Sequence, residues 1–96
     1  MYGTIAKMRV KPGMEGKLLE MAKAEDQISI PGYVNSIIYR MDGNPNELYM
    51  VVVFESKEAY MKNADSPEQD ARYRGFVQAL DGDPEWHDGE IIYSKM

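Results

Sequence analysis

The chain predicts an α+β fold of order β-α-β-β-α-β, a ferredoxin-like arrangement in which a four-stranded antiparallel sheet carries its helices on one face. Three observations carry that expectation. The run Glu47 to Glu55 encloses seven consecutive apolar or aromatic residues, Leu48 to Phe54, which read as a strand buried on both faces. The N-terminal stretch alternates with a period of two. Two further stretches place apolar residues at three- and four-residue steps, each bounded by proline and glycine.

Tyr2 to Val10 is the first strand, with Tyr2, Thr4, Ala6, Met8 and Val10 on one side and Ile5, Lys7 and Arg9 on the other. Pro12-Gly13 ends it, and a helix follows from Met14 with Leu18, Met21, Ala22 and Glu25 along its inner stripe. After the Pro31-Gly32 turn, Tyr33 to Met41 is a second strand, with Val34, Ser36, Ile38 and Arg40 opposed to Asn35, Ile37 and Tyr39. Asp42-Gly43-Asn44-Pro45-Asn46 closes a hairpin into the third strand, supplying positive and fixed φ values. Ser56 caps a short helix, Lys57 to Ala64, and Ser66-Pro67 restarts it with a second cap, proline at the first helical position and Gln69 three after the serine. Tyr73, Phe76, Val77 and Leu80 form the stripe of the restarted helix. Asp81-Gly82-Asp83-Pro84 stops it, and Trp86 to Ser94 returns as a last strand containing Ile91, Ile92 and Tyr93.

Residues 1 to 96 form a single domain, of a size at which one core is adequate but not generous. On the third strand Leu48, Met50, Val52 and Phe54 oppose Tyr49, Val51 and Val53, so the face its helices cannot reach exposes three or four large apolar side chains whichever set it is. Each such side chain contributes about 1.5–3 kcal/mol on burial. The economical cover is a second copy of the chain, so the sequence predicts a homodimer joined sheet to sheet.

Sixteen acidic against eleven basic residues give a net charge of −5, which repels a phosphate backbone and argues against nucleic acid as a partner. With no cysteine there is no disulfide framework, thiolate metal site or cysteine nucleophile. No apolar run reaches membrane length, and the chain enters its first strand without a basic region and apolar leader. A cytoplasmic protein that does not engage a membrane is the expectation.

The segments YGTIAKMRVKPG (Tyr2 to Gly13), VFESKEAY (Val53 to Tyr60), Ser66-Pro67 and WHDGEI (Trp86 to Ile91) resemble the antibiotic biosynthesis monooxygenase domain of the dimeric α+β barrel superfamily. The resemblance covers nearly the whole chain. It implies that two protomers join their sheets into a barrel, each keeping a small-molecule pocket between its own helices and sheet. Relatives in that superfamily include cofactor-independent oxygenases of phenols, quinols and polyketide aromatics, and haem-degrading enzymes. The haem ligand set is not matched: Asn63 stands where many relatives carry a histidine before the Ser-Pro step, and the first strand has no asparagine. Phe54 occupies the place of a common tryptophan, which leaves Trp86 as the sole indole.

The resemblance implies an oxygenase that needs no cofactor and no metal and acts on a small aromatic, phenolic or quinol substrate. An electron-rich phenolate or enolate reduces oxygen itself, so the protein need only bind, deprotonate and desolvate it. His87 is the natural general base, being the only side chain with an ordinary pKa near neutrality. Asn63 and Tyr73 are the other candidate catalytic groups, and Asn35, Arg72, Phe76 and Trp86 the candidate substrate-binding residues. Each has a plainer reading: Tyr73 and Phe76 as core packing, Arg72 as a solvated charge, Asn63 and Asn35 as turn or cap residues, His87 as a rim residue. Adjacent strand residues face opposite ways, so Trp86 and His87 cannot both line one pocket without a bulge. A barrel that binds a small molecule without oxygen chemistry is the alternative reading.

Overall fold

Strand alternation sorts the sheet into one face that meets the helices and one that does not. The computed structural model describes residues 1–95. Its elements are β1 (Tyr2–Arg9), α1 (Glu15–Glu25), β2 (Tyr33–Arg40), β3 (Glu47–Phe54), α2 (Lys57–Ala64), α3 (Pro67–Val77) and β4 (Glu85–Glu90). The strands form one antiparallel sheet of order β2-β3-β1-β4, so the two most buried strands lie in the middle.

The inward stripe of β1, Ala6 and Met8, packs with Leu48 of β3, Leu18 of α1, and Ala79 and Leu80 after α3 to form the buried core. Thr4 belongs to the same stripe and is the one buried polar side chain within it, 4% exposed. Phe54, at the end of β3, is also buried.

The opposite face is apolar and uncovered. Ile5 is 49% exposed, Ile37 46% and Tyr39 50%. The register Ile37↔Val51↔Ile5 and Tyr39↔Tyr49↔Lys7 sets Val51 and Tyr49 among them.

Helix ends follow the capping residues. Ser56 Oγ accepts from Ala59 N at 3.1 Å to start α2, and Ser66 Oγ accepts from Gln69 N at 3.0 Å to start α3 with Pro67 at its first position. Arg40, inward-leaning on edge strand β2, donates to Glu15 through Nε and Nη2 at 2.6 and 2.8 Å. This paired contact ties the start of α1 to the sheet edge and holds the Glu15 carboxyl below its ordinary pKa.

Three expectations need correction. The last strand stops at Glu90, not Ser94: β4 pairs only with β1, Glu90 already faces Tyr2, and one bond follows beyond it, from Ile91 N to Met1 O at 2.9 Å. Ile92 and Tyr93 beyond it are 94% and 80% exposed. Leu80 lies past the end of α3, where it bridges to Val10. The β2–β3 hairpin closes without positive φ; only Gly13, Gly32 and Gly82 adopt it among the described residues. The turn is held instead by Asn44, whose Oδ1 accepts from Asn46 N at 3.1 Å and whose carbonyl accepts from Glu47 N at 2.9 Å.

Candidate active site

Between the helices and the inner face of the sheet lies a cavity of about 460 Å³, in the size range of small-molecule sites. Its floor is formed by Thr4, Ile38, Met50, Val52 and Phe54, the inward residues of the three central and edge strands. Helices α2 and α3 supply Tyr60, Asn63, Tyr73 and Phe76. Strand β4 closes one side with Trp86 and Asp88, and α1 contributes Ala22 and Glu25.

Sequence-nominated residues divide by strand face. Asn63, Tyr73, Phe76 and Trp86 come together around the cavity, the Tyr73 and Trp86 rings standing 6.0 Å apart between centroids. His87 does not join them. It pairs with Ile5 on the outer face, while Trp86 pairs with Ala6 on the inner one, and no bulge reverses the alternation. Asn35 also faces outward: after the irregularity between Tyr33 and Asn35 it pairs with Val53, leaving Tyr33 against Phe54 on the cavity side. The expected places of His87 and Asn35 in the pocket are therefore corrected.

Arg72 lies beside the cavity and not in its wall. Its Nη2 donates to Gln69 Oε1 at 2.9 Å, its Nε stands 3.7 Å from Glu25 Oε1, and it borders a second depression lined by Ile28 to Gly32. Burial raises the Glu25 carboxyl above its ordinary pKa; the Arg72 charge opposes this and the neighbouring Asp26 adds to it.

Three residues that were not nominated make the polar end. Tyr60 Oη donates to Asp88 Oδ1 at 3.0 Å. Burial first, and that bond second, push the Tyr60 phenol from 10.0 up to about 12, with the Thr4 hydroxyl acting the other way. Thr4 Oγ1 is itself buried without a hydrogen bond of ordinary geometry. The Tyr60 ring is fixed by tilted stacking on Tyr2 at 5.3 Å and an edge contact with Phe54 at 5.6 Å. A signal for Thr4 existed in the sequence: it is the one hydroxyl between Tyr2 and the apolar residues of the inward β1 stripe.

Among the described residues, no group of three or more His, Asp or Glu is placed to hold a metal ion. No described helix is long and apolar enough to cross a membrane.

Fold and cavity together define a small α+β domain with a helix-roofed cavity on an antiparallel sheet. The family model for antibiotic biosynthesis monooxygenases matches residues 1–74, and the chain belongs to that family. Solved structures agree on the fold. A Bordetella bronchiseptica protein assigned to the same monooxygenases superposes with a TM-score of 0.80 at 19% identity, covering 96% of this chain and 97% of that one. One from Chloroflexus aurantiacus J-10-fl gives 0.75 at 23% identity over 99% and 96%. A point mutant of SnoaB, a cofactor-independent oxygenase from Streptomyces nogalater, gives 0.78 at 12% identity over 97% and 94%. No curated protein matches the chain in sequence.

Proposed function

We propose that this chain is a cofactor-independent monooxygenase that oxidises a small aromatic, phenolic or quinol substrate in the cavity, acting as a cytoplasmic homodimer. The supporting observation is the cavity itself, walled by Phe54, Tyr73, Phe76 and Trp86 and ended by hydrogen-bonding groups. Membership of the monooxygenase family and the shared fold with a cofactor-independent oxygenase point the same way.

In this reading the substrate supplies the electrons. For a phenol that reaches its keto tautomer, as an anthrone does, the activated ring methylene loses a proton, the carbanion reduces dioxygen, and the methylene becomes a carbonyl while the second oxygen atom leaves as water. Glu25 takes the proton in place of His87, since it lines the cavity and its carboxyl is raised toward a useful basicity by burial. Asn63 and Tyr73 donate to the developing oxyanion, and Phe76 and Trp86 exclude water. The uncovered outer face, with Ile5, Ile37, Tyr39 and Val51, supports the homodimer.

A second reading, a barrel that binds its ligand without oxygen chemistry, is favoured by one feature: no histidine, lysine or arginine is among the described residues lining the cavity. Oxygen uptake with a panel of hydroquinones and anthrones separates the two. The oxygenase reading expects uptake matched by carbonyl product and abolished by Glu25→Gln with Asn63→Ala. Saturable binding of the same compounds without uptake supports the second reading and overturns the first.

A further inference from the structure

Glu25 reaches the cavity from the last turn of α1, and the charges around it decide whether it can act as a base. Asp26 follows it in the chain, and Asp70 and Tyr73 of α3, Tyr33 of β2, Tyr60 of α2 and Asp88 of β4 line the same cavity. Burial and the Asp26 carboxylate both favour the protonated form of Glu25, and a protonated carboxyl is no base. Among the described residues, the cation paired with Glu25 sits outside the wall. Arg72 does not line the cavity, yet its Nε stands 3.7 Å from Glu25 Oε1, across the gap from α3 to α1. Glu55, Glu58, Lys62 and Glu68 line the depression that Arg72 borders, and Glu25 is the carboxylate it pairs with. The bond from Arg72 Nη2 to Gln69 Oε1, 2.9 Å long and one turn back on the same helix, holds the planar guanidinium in place. Nε is left buried without a hydrogen bond, with the Glu25 oxygen just beyond bonding range.

We propose that Arg72 is a positioning residue for Glu25: anchored by Gln69 behind the cavity wall, its guanidinium holds the carboxyl ionised and in one orientation, without touching the substrate. This rests on Glu25 being the proton acceptor of the proposed function. It gives Arg72 a role exerted through another side chain, in place of the substrate contact expected from the sequence. The Arg72 charge opposes the effect of burial on Glu25, so removing that charge leaves the carboxyl protonated over a wider range of pH.

Two readouts on the intact chain test it. The first needs no turnover: carboxyl-carbon NMR of Glu25 across pH, assigned by its loss in Glu25→Gln, in the wild type, Arg72→Met and Arg72→Lys. Methionine keeps much of the bulk and none of the charge, so the Glu25 midpoint is expected to rise, whereas lysine keeps the charge and returns it toward the wild type. The second is the pH profile of kcat/KM for anthrone oxidation. In Arg72→Met the rate is expected to fall about tenfold on the acid limb and to meet or exceed the wild type at the alkaline end, where Glu25 ionises unaided. A residue that merely clasped α3 to α1 would lower the rate equally at every pH, and that outcome overturns the proposal. So does a Glu25 midpoint that Arg72→Met leaves unmoved or lowers. Circular dichroism confirms the fold of each variant, and Arg72→Gln takes the place of Arg72→Met if the latter does not fold. Absence of oxygen uptake by the wild type overturns the oxygenase reading alone; the carboxyl midpoint then decides by itself whether Arg72 sets the charge of Glu25.

Discussion

Replacing Val51 with aspartate probes the uncovered sheet face while leaving the helix-covered core untouched. Val51 sits mid-strand on β3, between Ile5 of β1 and Ile37 of β2, which are 49% and 46% exposed in the single chain. In a sheet-to-sheet dimer, covering the remaining exposed part of the valine contributes about 1 kcal/mol per copy. An unpaired carboxylate in the same position costs several kcal/mol to desolvate. Twofold symmetry counts each change twice, so the substitution weakens association by at least about 4 kcal/mol, about a thousandfold in dissociation constant. Sedimentation velocity at micromolar concentration, with circular dichroism to confirm an unchanged fold, reads the outcome directly. The expected result is a wild-type dimer and a Val51→Asp monomer. A wild-type protein that sediments as a monomer, or a Val51→Asp variant that remains a tight dimer, refutes the reasoning that this face is an interface.

Three further outcomes follow from local geometry. Tyr60, with its phenol pushed up to about 12, is expected to titrate well above the ordinary 10.0 in ultraviolet difference spectra, and Asp88→Asn to bring it down. Its folded-state pKa exceeds its unfolded value of 10.0, so the stability it contributes is complete below that value and is lost as pH rises toward 12; Tyr60→Phe flattens that alkaline decline in Tm. Glu25 has a raised pKa from burial, so the folded chain holds its proton more tightly than the unfolded one, and folding carries a cost for its charged form. Glu25→Gln is therefore expected to raise Tm at neutral pH, with the gain vanishing below the ordinary value of 4.5. Gly32→Ala is expected to lower stability in urea by about 1–3 kcal/mol, because φ is +80° and the new Cβ would stand 2.5 Å from Ala59 Cβ; an unchanged midpoint would show that the turn relaxes freely.

Much of this architecture is legible in the sequence because period-two alternation fixes relative facing within a strand. The seven-residue apolar run placed β3 centrally, and Ser66-Pro67 marked the break between α2 and α3. Alternation alone does not say which set faces inward on an edge strand rich in polar residues. That is why Trp86 and His87 could be separated but not assigned, and why Asn35, beyond the Tyr33 irregularity, was given to the pocket. The end of β4 was illegible for another reason: Ile91, Ile92 and Tyr93 have strand propensity, but a strand also needs a neighbour, and β1 begins at Tyr2. Tyr60, Thr4 and Asp88 come from three separate elements, so the polar end of the cavity exists only once the helices are docked.

The account stands on the cavity as the place where a flat aromatic molecule binds, and Trp86 is a reporter already in its wall. Its fluorescence, followed as a hydroquinone or anthrone is titrated under nitrogen, tests that directly. The account predicts saturable quenching that is lost when Ala64→Phe fills the same space from α2. Quenching that rises linearly with concentration, equally in both proteins, would contradict it.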